Sequence, residues 1–161
     1  MNHESLNKMK ELPTSNEKYQ VYFFTCPAHK PAHFAAHLWV VTVSPNGINR
    51  WEVFHKKKNG SERYGYIHRN HYLPTQGLEK SYFSNTSWPS TLIGSIEGDN
   101  ETLAHNVVEF IETYSSDYLH KDRYRFYPGP NSNTYIAWIL SKFPDVKIKL
   151  PWNAFGKNYL K

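Results

Sequence analysis

Cysteine and long apolar runs are scarce in this sequence, and both absences narrow the class of protein. Cys26 is the single cysteine of the 161-residue chain, so the chain forms no internal disulfide and its fold does not depend on an oxidising compartment. The first twenty residues contain no apolar core of the kind found in signal peptides. No later run approaches the roughly 18 apolar residues of a membrane-spanning helix. We therefore expect a cytoplasmic protein without a membrane span.

Charged residues are also few, at 20%, while hydrophobic residues make up 39% of the chain. This balance excludes coiled-coil and wholly disordered classes and predicts a packed core in one domain. Residues 1–18 are polar and lack periodicity, so we expect a flexible tail followed by a single globular domain over 19–161. Aromatic residues are abundant, at 16%, and suit the half-buried walls of a cleft as well as a core.

The net charge of +5 is modest for a dedicated nucleic-acid-binding protein. Two segments nevertheless have the composition of such a protein. Residues 123–127 interleave arginines with aromatic residues, and residues 56–58 are three lysines in a predicted turn. We do not expect nucleic acid as the main partner, and an oligonucleotide-binding module stays as one alternative function.

The pattern of apolar residues predicts an α+β fold with a mostly antiparallel sheet of five or six strands packed by two main helices. Ser44 to Gly47 predicts a hairpin turn between two strands. Asp99 or Asn100 is a candidate N-cap of the first helix, and Asn131 or Ser132 of the second. The predicted strands cover residues 21–25, 36–43, 48–54, 63–68, 91–96 and 123–127, and residues 146–150 could add one edge strand. The helices are predicted near 100–115 and 132–142, with a long ordered loop over 69–90.

The strongest local signal for chemistry is the block Pro128-Gly129-Pro130-Asn131-Ser132-Asn133-Thr134-Tyr135, where a strand is predicted to end and a helix to begin. A hydroxyl in the first turn of a helix lies beside unpaired main-chain N–H groups, which stabilise developing negative charge. Ser132 is therefore a candidate nucleophile that needs a base. The competing interpretation is that Asn131 or Ser132 only caps the helix.

This block, together with Phe143-Pro144-Asp145, Leu150-Pro151 and Ala154-Phe155-Gly156-Lys157-Asn158-Tyr159, resembles the C-terminal signature of a bacterial family, domain of unknown function 3750. Weaker similarity extends upstream through His37-Leu38-Trp39-Val40 and Arg50-Trp51-Glu52-Val53. The resemblance covers most of residues 20–160. It implies no particular activity.

A looser resemblance is to circularly permuted papain-like (NlpC/P60-like) domains, in which a histidine on an early strand precedes a late Asn-Cys block at a helix start. His37 and Asn131-Ser132 have the same order, although serine stands where those enzymes have cysteine. The resemblance implies that His37 is the base and that Glu52 or His55 orients its ring. The implied activity is that of a hydrolase or acyltransferase on an amide or ester.

The remaining candidate residues would bind substrate in the same cleft. Main-chain N–H groups near Asn133 would hold an oxyanion, and Asn131 or Thr134 would position the substrate. The cleft would be walled by Trp39, Tyr127, Tyr135 and Trp138. A catalytically silent domain that binds a small ligand or peptide in this cleft is the other alternative function.

His29, His33 and His37 recur every four residues, a spacing that on a helix would align three imidazoles for a metal ion. Pro31 falls inside this window and the residues after His37 read as a strand, so the three rings are not expected to share a helical face. We accordingly predict no metal site and no cofactor.

Overall fold

The structure is a computed structural model that describes Leu12 and residues 17–161. Within these residues, two α-helices pack on one face of a six-stranded antiparallel sheet, which confirms the predicted α+β class. Of the predicted tail, residues 1–11 and 13–16 lie outside the described part of the chain, whereas Leu12 is buried.

The sheet has the strand order β4-β5-β3-β2-β1-β6, with all neighbouring strands antiparallel. Its strands are β1 (Tyr19–Pro27), β2 (Ala36–Ser44), β3 (Gly47–Val53), β4 (Glu62–Tyr64), β5 (Ile67–Arg69) and β6 (Thr91–Gly98). The predicted hairpin is confirmed: Ser44 pairs with Gly47, and Gly47 has the positive φ of +124° that favours glycine in such a turn.

The two helices are α1 (Leu103–Tyr114) and α2 (Ser132–Lys142), and a short 3₁₀ turn (Ser115–Asp117) follows α1. The N-cap of α1 is Thr102, whose hydroxyl accepts from the His105 N–H, so the prediction of Asp99 or Asn100 is wrong by two or three residues. The N-cap of α2 is Asn131, one of the two predicted candidates.

Two predicted strands are not formed. Residues 123–127 are an irregular segment, because the Arg125 N–H donates to the Pro130 carbonyl across the following turn instead of to another strand. Residues 146–150 are also irregular. Here the Ile148 side chain lies directly against Gly94 of β6, where a Cβ would overlap it, so the segment covers the face of the sheet rather than extending its edge.

Apolar side chains fill both faces of the central strands. On one face, Leu38 and Val40 of β2 pack with α1 and α2. On the other, Trp39 and Val41 pack with Leu78 from the loop between β5 and β6. That loop thus packs against this face of the sheet through Leu78, Tyr72 and Trp88. In the described part of the chain, no helix is long and apolar enough to cross a membrane.

Candidate functional site

The candidate site lies at the end of the sheet where β2 begins and β3 ends. The start of α2 is joined to this end of the sheet, because the Asn133 side-chain amide donates to the carbonyl of Ala36 at 2.9 Å. His37, the second residue of β2, is only 7% exposed, and its ring is stacked on those of Trp39 and Phe54. The fold thus places the candidate base beside the first turn of the helix that carries the candidate nucleophile.

Glu52 is the partner of the His37 ring. The two residues lie on the loop-covered face of adjacent strands, and His37 Nε2 and Glu52 Oε2 are 3.0 Å apart. An ionised carboxylate only accepts hydrogen bonds, so Nε2 carries a proton, and in a neutral ring Nδ1 is then the nitrogen with a free lone pair. Among the described residues, Nδ1 has no hydrogen-bond partner. A proton acceptor is therefore available on the ring atom that points away from Glu52.

Arg50 completes this charged network, and the sequence analysis did not single it out. It has no exposed surface, and its Nη2 donates to Glu52 Oε2 at 2.8 Å. Its Nε lies 2.7 Å from Glu52 Oε1 as an ion pair without hydrogen-bond geometry. Nη1 donates to the loop carbonyls of Leu73 and Gln76. The guanidinium also lies 4.2 Å from the centre of the Trp39 ring, within cation–π distance.

Charge compensation keeps Glu52 ionised. Burial alone would raise the pKa of its carboxyl group, but the positive charge of Arg50 and the hydrogen bond to His37 outweigh burial and lower that pKa to about 2. A buried carboxylate in this state orients the imidazole and stabilises an imidazolium if one forms.

Ser132 is the first residue of α2 and is 5% exposed. Asn131 fixes this helix start as a capping box: its Oδ1 accepts from the N–H groups of Asn133 and Thr134, and its own N–H donates to the Thr134 hydroxyl. The Asn131 Nδ2 group donates to the carbonyls of Phe126 and Phe155. Asn131 and Thr134 thus hold the first turn of the helix in place.

The capping box changes which main-chain group can bind an oxyanion. We expected N–H groups near Asn133 to do so, but the Asn133 N–H already donates to Asn131 at 3.0 Å. In the described part of the chain, the Ser132 N–H has no hydrogen-bond partner. The available donor is therefore the main chain of the candidate nucleophile itself, at the positive end of the helix dipole.

Two neighbouring cavities open beside His37. The smaller, the serine cavity, measures about 30 Å³, which is roughly the volume per water molecule in the liquid. It is lined by Ala28, Ala35, Ala36, His37, Tyr124, Phe126, Asn131, Ser132, Asn133 and Phe155. His37 and Ser132 thus both line the serine cavity, although no direct hydrogen bond joins them in the described residues, where the Ser132 hydroxyl donates to Asn133 Oδ1 at 3.5 Å.

The larger, the histidine cavity, measures about 250 Å³. It is lined by Ala28, His29, Ala32, His37, Val53, Phe54, His55, Leu78, Tyr82, Tyr124 and Phe126. His29 Nδ1 is 2.6 Å from the Glu79 carbonyl, and the ring of His55 lies 5.2 Å from that of Tyr82. Burial, followed by nearby positive charge, lowers the pKa of His55 to about 4. Of the two candidates for orienting His37, Glu52 bonds its ring and His55 lines the cavity.

The predicted cleft walls lie elsewhere. Trp39 is fully buried between His37 and Arg50. Tyr135 is also fully buried, with its hydroxyl 2.7 Å from Ser115 Oγ, and Trp138 packs on Phe110 of α1. Tyr127 is exposed and contacts Phe155. None of these four predicted residues lines either cavity; the aromatic walls are instead Phe54, Tyr82, Tyr124, Phe126 and Phe155.

The histidine triplet does not assemble. His33 is exposed and stacks on Trp88, whereas His29 and His37 line the histidine cavity. In the part of the chain that the structure describes, no group of three or more His, Cys, Asp or Glu side chains is arranged to hold a metal ion.

The sequence did contain a signal for Arg50. Alternation along β3 places Arg50 and Glu52 on one face of a strand whose other face carries Trp51 and Val53. Two opposite charges two positions apart on a strand otherwise enclosed by apolar neighbours indicate a buried ion pair.

A family model described as Protein of unknown function (DUF3750) matches residues 17–159. The matched region includes both cavities and the whole Arg50–Glu52–His37 network. Neither the search of curated proteins nor the search of solved structures returned a match.

Proposed function

The chain belongs to the family described as Protein of unknown function (DUF3750), and we propose its function from the geometry of the site. We propose that it is a serine-dependent hydrolase or acyltransferase that acts on an amide or ester. One observation carries this proposal. His37 is held through Nε2 by a buried carboxylate, and it shares the serine cavity with a hydroxyl at the start of α2. A base, its orienting group and a nucleophile beside a free main-chain N–H are the components of acyl transfer.

In the proposed reaction, Ser132 Oγ attacks the carbonyl carbon of the substrate and its proton passes to Nδ1 of His37. The Ser132 N–H donates to the oxyanion that forms, and Glu52 stabilises the imidazolium through Nε2. His37 then gives the proton to the leaving alcohol or amine as the bond to the carbonyl carbon breaks. Water or an acceptor nucleophile then attacks the acyl-serine and gives its proton to His37. His37 passes that proton to Ser132 Oγ as the bond between Oγ and the acyl carbon breaks, which releases the product and restores the hydroxyl.

The order of these groups along the chain supports the permuted papain-like relationship as part of the same proposal. The histidine lies near the start of an early strand and the candidate nucleophile opens a late helix. A serine at this position is a weaker nucleophile than a thiolate, because a hydroxyl is far less acidic than a thiol. The proposal therefore depends on proton removal by His37.

Covalent labelling with a fluorophosphonate tests this proposal. We expect a single adduct on Ser132 by intact-mass and peptide analysis, no adduct in Ser132→Ala, and labelling slowed about 100-fold or more in His37→Gln. Ser141→Ala is the matched control, since Ser141 is an exposed serine on the same helix and its replacement should leave labelling unchanged. An unlabelled wild type, or equal labelling of wild type and Ser132→Ala, would overturn the proposal.

A second candidate function is ligand binding without catalysis, and the capping box favours it. Asn131 occupies the Asn133 and Thr134 N–H groups, so one main-chain donor remains at the helix start. A catalytically silent domain would bind a small ligand or peptide in the same cavities and leave Ser132 unlabelled. The cytoplasmic location expected from the single cysteine stays a prediction.

A further inference from the structure

The histidine cavity has an uneven charge distribution. No aspartate or glutamate is among the described residues that line it. The lining instead includes three histidines, His29, His37 and His55. Glu52 lies behind His37 and is paired with Arg50. A polar group that enters this cavity therefore meets a lining that includes three histidines and two tyrosines but no carboxylate.

Two lysines add positive charge at the walls of the cavity. Lys56 Nζ lies 5.8 Å from the centre of the Tyr82 ring, and Lys58 Nζ lies 5.6 Å from the centre of the Phe54 ring. Both rings line the cavity. After burial, positive charge from these lysines contributes to lowering the pKa of His55, a residue that lines the cavity.

Besides Glu52, Glu79 is an acidic residue near this cavity, and its carboxylate is already engaged. The Glu79 carboxylate accepts a hydrogen bond from the Tyr72 hydroxyl, and its main-chain carbonyl binds His29 Nδ1. Because that nitrogen donates, Nε2 of His29 is free to exchange a proton or accept a hydrogen bond. The charge of Glu52 is paired with that of Arg50, which leaves Lys56 and Lys58 against the Glu79 carboxylate, so the local field favours an anion.

We infer that the histidine cavity binds a carboxylate group of the substrate, so that the preferred acyl donor is an anionic ester or amide. This inference rests on the proposed acyl-transfer function. The cavity lies beside the serine cavity and shares with it Ala28, His37, Tyr124 and Phe126. A substrate carbonyl at Ser132 would therefore have its carboxylate a few bonds away, between apolar walls with a cationic rim.

Binding of three matched six-carbon probes tests the inference without requiring turnover. Hexanoate, hexan-1-ol and hexylammonium would each be titrated into the full chain, with the ring signals of His29 and His55 followed by NMR. We expect saturable shifts with hexanoate and at least about tenfold weaker binding of the other two probes, as suits a charge-assisted contact. Equal binding of hexan-1-ol, or no shift with hexanoate, would overturn the inference.

Charge removal at the rim is the second arm. Lys56→Gln/Lys58→Gln should weaken hexanoate binding about fivefold and leave hexan-1-ol binding unchanged. Lys142→Gln/Lys149→Gln removes the same charge from exposed positions that do not line the cavity, and it should have no effect. Equal weakening by both double variants would show that net charge alone acts, which contradicts a specific site.

The same titration in Ser132→Ala separates the two proposals. The variant should bind hexanoate as the wild type does, because Ser132 does not line the histidine cavity. If fluorophosphonate fails to label Ser132 while hexanoate still binds, the acyl-transfer function fails and the anion site remains. If labelling succeeds and hexanoate does not bind, the carboxylate inference alone fails.

Discussion

Gly156 lies so close to the side chain of Asn131 that a Cβ at this glycine would stand 2.5 Å from Asn131 Nδ2. Gly156 also has a φ of +90° and its carbonyl accepts from the Thr134 hydroxyl at 2.8 Å. The main chain of the C-terminal segment at Gly156 therefore packs against the Asn131 side chain at the start of α2, with no room for an added methyl group.

Gly156→Ala should destabilise the protein by about 3 kcal/mol, from backbone strain plus displacement of Asn131. Gly60→Ala is the matched control, because Gly60 has a comparable φ of +77° and nothing within 4 Å of the added Cβ. The control substitution should lower the free energy of unfolding by about 1 kcal/mol. Urea unfolding measures both, and equal losses would show that the contact with Asn131 adds nothing.

Removal of Arg50 should be among the most harmful single changes. Arg50→Met leaves the Glu52 carboxylate buried without its guanidinium partner, and we expect a loss of about 3–5 kcal/mol. Arg50→Met/Glu52→Leu removes the unpaired charge as well and should be more stable than Arg50→Met alone. A double-mutant cycle from urea unfolding gives the coupling energy, and simple additivity of the two single variants would contradict an interaction between them.

Glu52 also predicts how stability depends on acid. Its pKa in the folded protein, about 2, lies below the ordinary value of 4.5, so the folded state binds this proton less tightly than the unfolded state does. The resulting stabilisation, about 3 kcal/mol, is complete above pH 4.5 and is lost as the pH falls through about 2.

The measurement compares unfolding free energy against pH for wild type and Glu52→Gln. The stability advantage of the wild type should shrink as the pH falls from 4.5 to 2. A difference that stays constant over this range would show that the Glu52 carboxyl group does not titrate differently in the two states.

His68 predicts a separate effect at higher pH. Its ring is fully buried; Nδ1 donates to the Tyr66 carbonyl, and Nε2 accepts from the Lys58 N–H at 2.8 Å. Burial lowers the pKa of His68 from 6.5 to about 4, so the unfolded state binds more protons between these values. Stability should therefore fall as the pH drops from 6.5 to 4, by up to about 3 kcal/mol from this group.

His68→Gln keeps one acceptor and one donor but does not titrate, so its stability should vary less than that of the wild type between pH 6.5 and 4. His33→Gln replaces an exposed ring and is the control. Identical pH profiles for wild type and His68→Gln would contradict the assignment of a buried neutral imidazole.

Much of the sheet was predictable because its strands carry a clear local signal. The apolar run at 36–43 and the Ser44 to Gly47 turn specify β2, the hairpin and its register. Extending that register by one step places Glu52 opposite Trp39 and therefore diagonal to His37, which is why a neighbouring-strand partner for this histidine could be foreseen.

The rest depended on long-range contacts that residue types do not encode. Residues 123–127 have a strand-like composition, but Arg125 bonds to Pro130 in its own turn. Alternation along β3 could have paired Arg50 with Glu52, but arginine is rarely buried and its identity does not indicate that the 69–90 loop covers it. Tyr135 and Trp138 are predicted cleft walls, yet the turn of the helix directs Tyr135 into the core and Trp138 against it.

The hydrogen bonds from Arg50 to the carbonyls of Leu73 and Gln76 limit how a substrate could enter the two cavities. If the segment over this face of the sheet lifted away as a lid, a fully buried guanidinium would lose its two carbonyl acceptors and its aromatic neighbours. Because losing these contacts would be unfavourable, we expect the 69–90 loop to stay in place on the sheet. We therefore expect a substrate to reach the histidine cavity past the half-exposed rings of Tyr82 and Phe126. The size of the side chains at these two positions, and not a hinge motion, should then decide which molecules enter.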